Sequence, residues 1–289
     1  MTAPAGTKPA PAPAARRPPG GRTRPAVAAG RRRRVYAAAV VTVLLAVAVA
    51  GPALAPHDPA AIAGPSYAPP GPGHPLGTDA LGRDVLSRLL AGGRPLVFLP
   101  AAATAAACLL GAAAGTVSGY LGGRAGTVLG AATKLLLVFP PVLVLLVAVD
   151  ARGGSALALG LVVVVTGAPF VARLTHAAAR RTVTAGYVEL APALGESTAS
   201  VLLREVLPAV ARPLLADAGA RLAGAMEISA TAAFLGFGPQ GPNWGAMVSE
   251  NLSGVTLAPW GVAAPAGALA LLVVCVNLGL DRLTRGAAA

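Results

Sequence analysis

The sequence predicts an all-α integral membrane fold of about six transmembrane helices, and three observations carry that prediction. Hydrophobic residues fill 55% of the 289 positions and charged residues only 12%, against roughly one quarter charged in a soluble domain. Apolar stretches long enough for a bilayer core of roughly 30 Å recur near 35–56, 95–119, 127–149, 155–175, 212–235 and 261–281. The basic residues crowd beside those stretches: Arg16, Arg17, Arg22, Arg24 and Arg31 to Arg34 all stand ahead of the first. A net charge of +12 therefore reads as a positive-inside bias in contact with a lipid membrane, and not as a nucleic-acid-binding surface.

In chain order, residues 1–34 are rich in Pro, Ala, Gly and Arg with almost no large apolar side chain. Such a segment cannot offset the entropy of ordering and is expected to be a disordered basic tail. The run VYAAAVVTVLLAVAVAGPALAP at 35–56 follows. A cleaved signal peptide is one reading, with ALA at 53–55 as the cleavage site; the long preceding tail favours a retained first helix. Residues 35–94 then hold that helix and an extracytoplasmic loop, and 95–285 the transmembrane core. With the tail in the cytoplasm, Arg124, Lys134, Arg173, Arg180, Arg181, Arg204, Arg212, Arg282 and Arg285 fall on or near that side, leaving Arg83, Arg88, Arg94 and Arg152 outside. Both termini and the loop 176–211 are expected to be cytoplasmic, in a multi-pass plasma or inner-membrane protein.

Within the spans, Gly111, Gly115 and Gly119 form a small-residue stripe, either a helix-packing face or chance in a chain with 36 glycines. Arg221 and Glu227 fall inside the fifth span, where a charge is costly and normally faces protein or a water-filled path. Six residues apart, they lie on different helix faces, so each is read as facing either the translocation path or a neighbouring helix, with Glu227 the acid expected to be buried. Cys108 and Cys275 are read as packing residues, and the loosely spaced His57, His74 and His176 suggest no metal site. Trp244 and Trp260 suit a membrane interface. Asp79, Arg83 and Asp84 are read as an exposed, individually weak set of loop contacts.

The stretch YVELAPALGESTASVLLREVLP at 187–208 is the one polar island. A helical piece over 187–194 can end at Gly195, which tolerates a left-handed backbone. Ser197 or Thr198 can cap a second piece, whose Val201, Leu202, Leu203, Val206 and Leu207 give a broad apolar face, and Pro208 is expected to end it. The result is a short helix-turn-helix outside the lipid, packed either on a partner or on its own spans.

This stretch resembles the EAA signature of ABC importer permeases: Glu189, Ala191, Gly195 six residues after the Glu, then Leu207 and Pro208. LGTDALGRDVLSR at 76–88, GYLGG at 119–123 with FP at 139–140, and FLGFGPQGPNWGAMVSE at 234–250 are similar to segments of the C-type subunit of dipeptide, oligopeptide and nickel permeases. Leu190 replaces the signature's second Ala, and Pro192 stands where Arg is common, so the first helical piece either starts later or is kinked. Lys134, Ala131 and Ser229 also depart from the family's usual Asp, Arg and Glu, with Glu227 displaced by two residues.

The resemblance implies a type I-like ABC importer fold in which Glu189, Ala191, Gly195, Leu203, Leu207 and Pro208 belong to the loop that couples to ABC ATPase subunits. It implies as further partners a second permease subunit, forming a heterodimer, and an extracytoplasmic solute-binding protein. The chain has no GxxxxGKS or GxxxxGKT phosphate-binding loop of its own and no catalytic constellation, so it is expected to be no enzyme and to need no cofactor. The cargo implied is di- or oligopeptides; nickel or another small solute is the alternative. A secondary transporter would instead show paired broken helices and charges in two related halves, and an embedded scaffold protein would follow only from a loop unable to bind an ATPase.

Overall fold

The computed structural model describes residues 46, 50–152, 154–185, 195–238 and 241–286. Helices dominate them: α1 (Val85–Ala91), α2 (Arg94–Leu121), α3 (Gly123–Val138), α4 (Pro141–Arg152), α5 (Ala156–Val183), α6 (Thr198–Val201), α7 (Leu207–Phe234), α8 (Trp244–Asn251) and α9 (Trp260–Gly286). Among the described residues the β-type pairing is confined to isolated bridges, Ile62 with Arg83, Gly71 with His74 and Thr78 with Asp84. Helices suit a lipid-embedded chain, because a helix satisfies its backbone N–H and C=O groups within one segment.

The boundaries follow local chemistry. The Asp84 carboxylate caps α1 by accepting from the Ser87 N–H at 2.9 Å, and Ser155 caps α5 through the Ala158 N–H at 3.3 Å. Pro95 sits in the first turn of α2, where its missing N–H costs nothing. Between α3 and α4, Phe139 is extended (φ −77°, ψ 124°), the conformation a following proline imposes.

The described residues hold part of the expected set of spans. Among the described residues, Val85–Leu121, Ala156–Val183 and Trp260–Gly279 are long and apolar enough to cross a bilayer. The stretch expected as one span at 127–149 is instead two helices bent by 82° at Phe139–Pro140, a fourth crossing if the pair acts as one. The fifth expected span lies in α7, 28 residues long, whose Arg212, Asp217, Arg221 and Glu227 reduce its apolar character. Of the first, 35–56, only 46 and 50–56 are among the described residues, and of these 46 and 50–54 are helical.

α2 and α5 make the most extensive helix contact in the chain, and the glycine stripe is its cause. A Cβ on Gly115 would stand 2.0 Å from Thr175 Oγ1 and 2.3 Å from the Ala172 carbonyl oxygen; one on Gly111 would stand 2.6 Å from the Ala168 carbonyl oxygen. Without side chains the backbones close to where Thr175 Oγ1 donates across the interface to the Gly111 carbonyl at 3.3 Å. Of the two readings of the stripe, packing within the chain is the one realised. A second cluster, with Val85, Leu96, Met226, Ala230, Trp244, Met247, Leu272 and Val276 as its buried members, gathers α1, α2, α7, α8 and α9.

Pro208 does not end its helix. From Thr198 the backbone stays helical through a π-helical turn at Leu202–Val206 and on into α7. The Leu207 N–H reaches back five residues to the Leu202 carbonyl, which widens the turn just before Pro208. A proline ring clashes with the carbonyl four residues back and cannot donate, and the wider π turn gives it room.

Candidate functional site

Three groups of residues stand out. The first is the end of the molecule that carries Gly195. Gly195 has φ +87°, the left-handed conformation expected of it, with nothing within 4 Å of where a Cβ would sit. Ser197 caps the following turn, accepting from the Ser200 N–H at 3.2 Å. The apolar face beyond it splits in two. Val201 and Val206 are fully buried, packing with Tyr120, Ala179 and Val210 of the same chain, so they are not available to a partner. Leu203 and Leu207 point away, 65% and 43% exposed, and Pro208 is exposed beside them. Glu189 and Ala191 lie outside the described residues.

The second group is the charge set of α7. Arg221 is paired with Asp217 one turn earlier, at 2.9 Å from Nε and 3.4 Å from Nη2. Its guanidinium also lies over the Phe170 ring, 4.5 Å from the centroid. Asp217 escaped the sequence reading, although its i, i+4 spacing from Arg221 is the pattern that signals such a pair. Glu227, expected to be buried, is exposed. It has no hydrogen bond or ion pair among the described residues, because its position on α7 carries it off the packed face that holds Ala223, Met226 and Ala230.

The third group is a polar knot at the opposite end. The Asp79 carboxylate accepts from the Leu81 N–H at 2.8 Å, the Arg83 N–H at 2.9 Å, Arg83 Nε at 2.8 Å and Arg88 Nη1. Arg83 Nη2 and Arg88 Nη1 both donate to Glu250 on α8 at 2.8 Å. The Ala80 N–H donates to Asn251 Oδ1 at 2.9 Å, and Trp244 Nε1 donates to the Leu89 carbonyl at 2.7 Å. Asp79 and Asp84 are fully buried, and Arg88 is 2% exposed. These are therefore structural contacts, as the sequence suggested, but not exposed weak ones: they clamp the 56–91 loop onto α8.

Burial pushes the Asp79 pKa upward. The Arg83 N–H, the Arg88 and Arg83 guanidinium groups and the Leu81 N–H outweigh it and hold the carboxyl below its ordinary value of 3.8. Trp244, expected at the membrane interface, is 3% exposed inside this assembly, whereas Trp260 is 49% exposed. Arg88 and Glu250, 162 positions apart, carry no local signal that would pair them.

Among the described residues the body is built of helices, and one of them runs from the exposed Leu203–Leu207 turn toward the end where α8 clamps the loop ahead of α1. The chain belongs to the binding-protein-dependent transport system inner membrane component family, whose model matches residues 95–288. It is the membrane permease subunit of an ABC importer, multi-pass and not itself catalytic; ATP hydrolysis belongs to a separate subunit. It is 34% identical to the peptide transport system permease protein SapC of Escherichia coli over 212 residues, 73% of this chain and 72% of that one. It is 30% identical to the glutathione transport system permease protein GsiD, also of Escherichia coli, over 247 residues, 84% and 82% of the two chains. A chain of the MetNI methionine ABC transporter in an inward-facing conformation shares the fold, with a TM-score of 0.55 at 18% identity, covering 69% of this chain and 95% of that one.

Proposed function

We propose that this permease imports di- or oligopeptides as one half of a heterodimer. ATPase subunits dock on the 187–208 segment and a solute-binding protein on the knot end. The exposed Leu203–Leu207 pair is the observation that carries the docking: two large apolar side chains are left uncovered on a turn whose Val201 and Val206 are buried. Surface leucines beside a rigid turn suit insertion into an apolar groove, the helix-in-groove mode of recognition. Gly195 turns the chain into that helix, and Glu189 and Ala191, outside the described residues, are assigned to the same docking segment by the signature they match. Arg180, Arg181, Arg204 and Arg212 lie towards the same end, which favours placing it and both termini in the cytoplasm. Peptidic cargo is supported by the peptide and glutathione permeases among the relatives.

The test uses the assembled importer. Gly195→Asp and Leu203→Glu are expected to abolish co-purification of the ATPase and to lower peptide uptake at least tenfold, the size of a binding hot spot of about 2 kcal/mol. Unchanged uptake and ATP hydrolysis in both variants would remove the coupling role from this turn. An importer that moves nickel and no peptide would replace the cargo.

A further inference from the structure

A cavity of about 230 Å³ lies between α2, α5, α7 and the start of α4, lined by Thr104, Thr166, Phe170, Arg221, Glu227 and apolar residues that include Pro141. Its charges do not balance. Asp217 neutralises Arg221 at 2.9 Å, and the same guanidinium is held against the Phe170 ring, so neither member of that pair is left to meet a ligand's charge. What remains is the Glu227 carboxylate, unpartnered among the described residues.

A second observation points into the same space. Thr104, 7% exposed on the α2 wall, has a hydroxyl with no hydrogen-bond partner. A buried hydroxyl left unmade costs on the order of 1–3 kcal/mol, and a carboxylate within a membrane helix costs more unless it meets a cation or water. A cavity with one spare negative charge and one spare hydroxyl is complementary to a hydrogen-bond-donating cation. Three N–H donors on one positive centre describe an ammonium group.

Resting on the reading of this chain as a peptide permease, we propose that the cavity is an ammonium-binding site on the translocation route, where Glu227 and Thr104 receive the free α-amino group of a peptide. Its volume corresponds to roughly eight waters at their liquid share. That is room for an N-terminal residue and not for a whole oligopeptide, so the rest of the peptide lies outside this pocket. Recognising the amino terminus leaves the side chains unread, which suits a route that passes many sequences.

The experiment takes the complete importer in lipid nanodiscs without its solute-binding protein, so that bound peptide reports on the permeases. Trialanine and N-acetyl-trialanine, which differ in that one charge, are titrated by calorimetry. Wild type is expected to bind trialanine about tenfold more tightly than its acetylated form, the worth of one charge-assisted hydrogen bond. Glu227→Gln brings the two within about twofold by the same arithmetic, and Glu227→Asp keeps part of the difference. Equal binding by wild type, or an undiminished preference in Glu227→Gln, overturns the site. So does loss of the second permease from the Glu227→Gln complex, which would make Glu227 an ion-pair partner between subunits. ATP-driven uptake of trialanine, measured with the binding protein restored, separates the two claims: if wild type takes up no peptide, the peptide reading fails first; if uptake stands and the preference is absent, only the ammonium site falls.

Discussion

Asp79 and Arg88 show how much one buried charge pair can demand of a loop. Arg88 is 2% exposed and its guanidinium is shared between Asp79 and Glu250. Removing it in Arg88→Met leaves the Asp79 carboxylate buried with Arg83 as its one remaining cation. A broken buried pair costs several kcal/mol, and with Arg83 still in place the expected loss is about 3 kcal/mol, read as a lower thermal midpoint of the detergent-solubilised permease. The pH dependence has a definite sign. Asp79 titrates below 3.8 in the folded chain, so the unfolded chain takes up its proton first as the pH falls. The stability it contributes is whole above about pH 4 and drains away as the pH drops through the lower folded value. A midpoint measured from about pH 7 to about pH 3 should fall at the acid end, and Asp79→Asn should flatten that fall. The same acid slope in both proteins would remove Asp79 as its source.

Among the elements, the α2–α5 interface rests on glycines, and two glycines mark the extremes of how much room a side chain would find. At Gly115 a methyl group meets Thr175 and Ala172 at 2.0 and 2.3 Å, whereas at Gly130 on α3 nothing lies within 4 Å. Gly115→Ala is expected to destabilise by about 1–3 kcal/mol through overpacking. Gly130→Ala is expected to stabilise by about 0.5–1 kcal/mol through helix propensity. Thermal unfolding of the two variants side by side checks this, and equal effects would deny that the stripe is a contact. The spacing of Gly111, Gly115 and Gly119 was readable as a helix face in advance, but which helix it meets is a long-range fact that spacing does not hold. Gly195 was legible for the opposite reason: a left-handed backbone at a turn is a local demand that only a few residues meet. Pro208 misled because proline's local rule, that it stops a helix, was overridden by a π turn that the sequence does not advertise. Glu227 misled because apolar neighbours suggest burial, while burial depends on which side of α7 finds a packing partner. Arg88 and Glu250 were out of reach, since their pairing depends on α8 folding back against the loop.

At the scale of the whole molecule, the run from Thr198 to Phe234 is the single element that links the exposed Leu203–Leu207 turn to the far side of the chain. At 1.5 Å per residue it spans roughly 55 Å. Near its far end Ala230 packs with Trp244 and Met247, and Asn251 and Glu250 on the same α8 hold the loop at Ala80 and Arg83. A push on Leu203 can therefore travel as movement of a nearly continuous rod, the rigid-body kind of switching. The π turn at Leu202–Val206 is where that rod leaves α geometry, ahead of the interior Pro213 of α7. It sets the rotation of Leu203 relative to α7. Pro208→Ala removes the ring that the widened turn accommodates and restores an N–H for an ordinary helical bond. The turn is expected to relax toward α geometry and rotate the leucines against the rod, without unfolding either end. The ATPase should then still co-purify, ATP hydrolysis should persist, and uptake per ATP consumed should fall about threefold or more, the scale at which residues along a coupling element act. Loss of the ATPase in Pro208→Ala would instead make the proline a docking residue, and unchanged uptake per ATP would mean that the register of the π turn has no part in transmission.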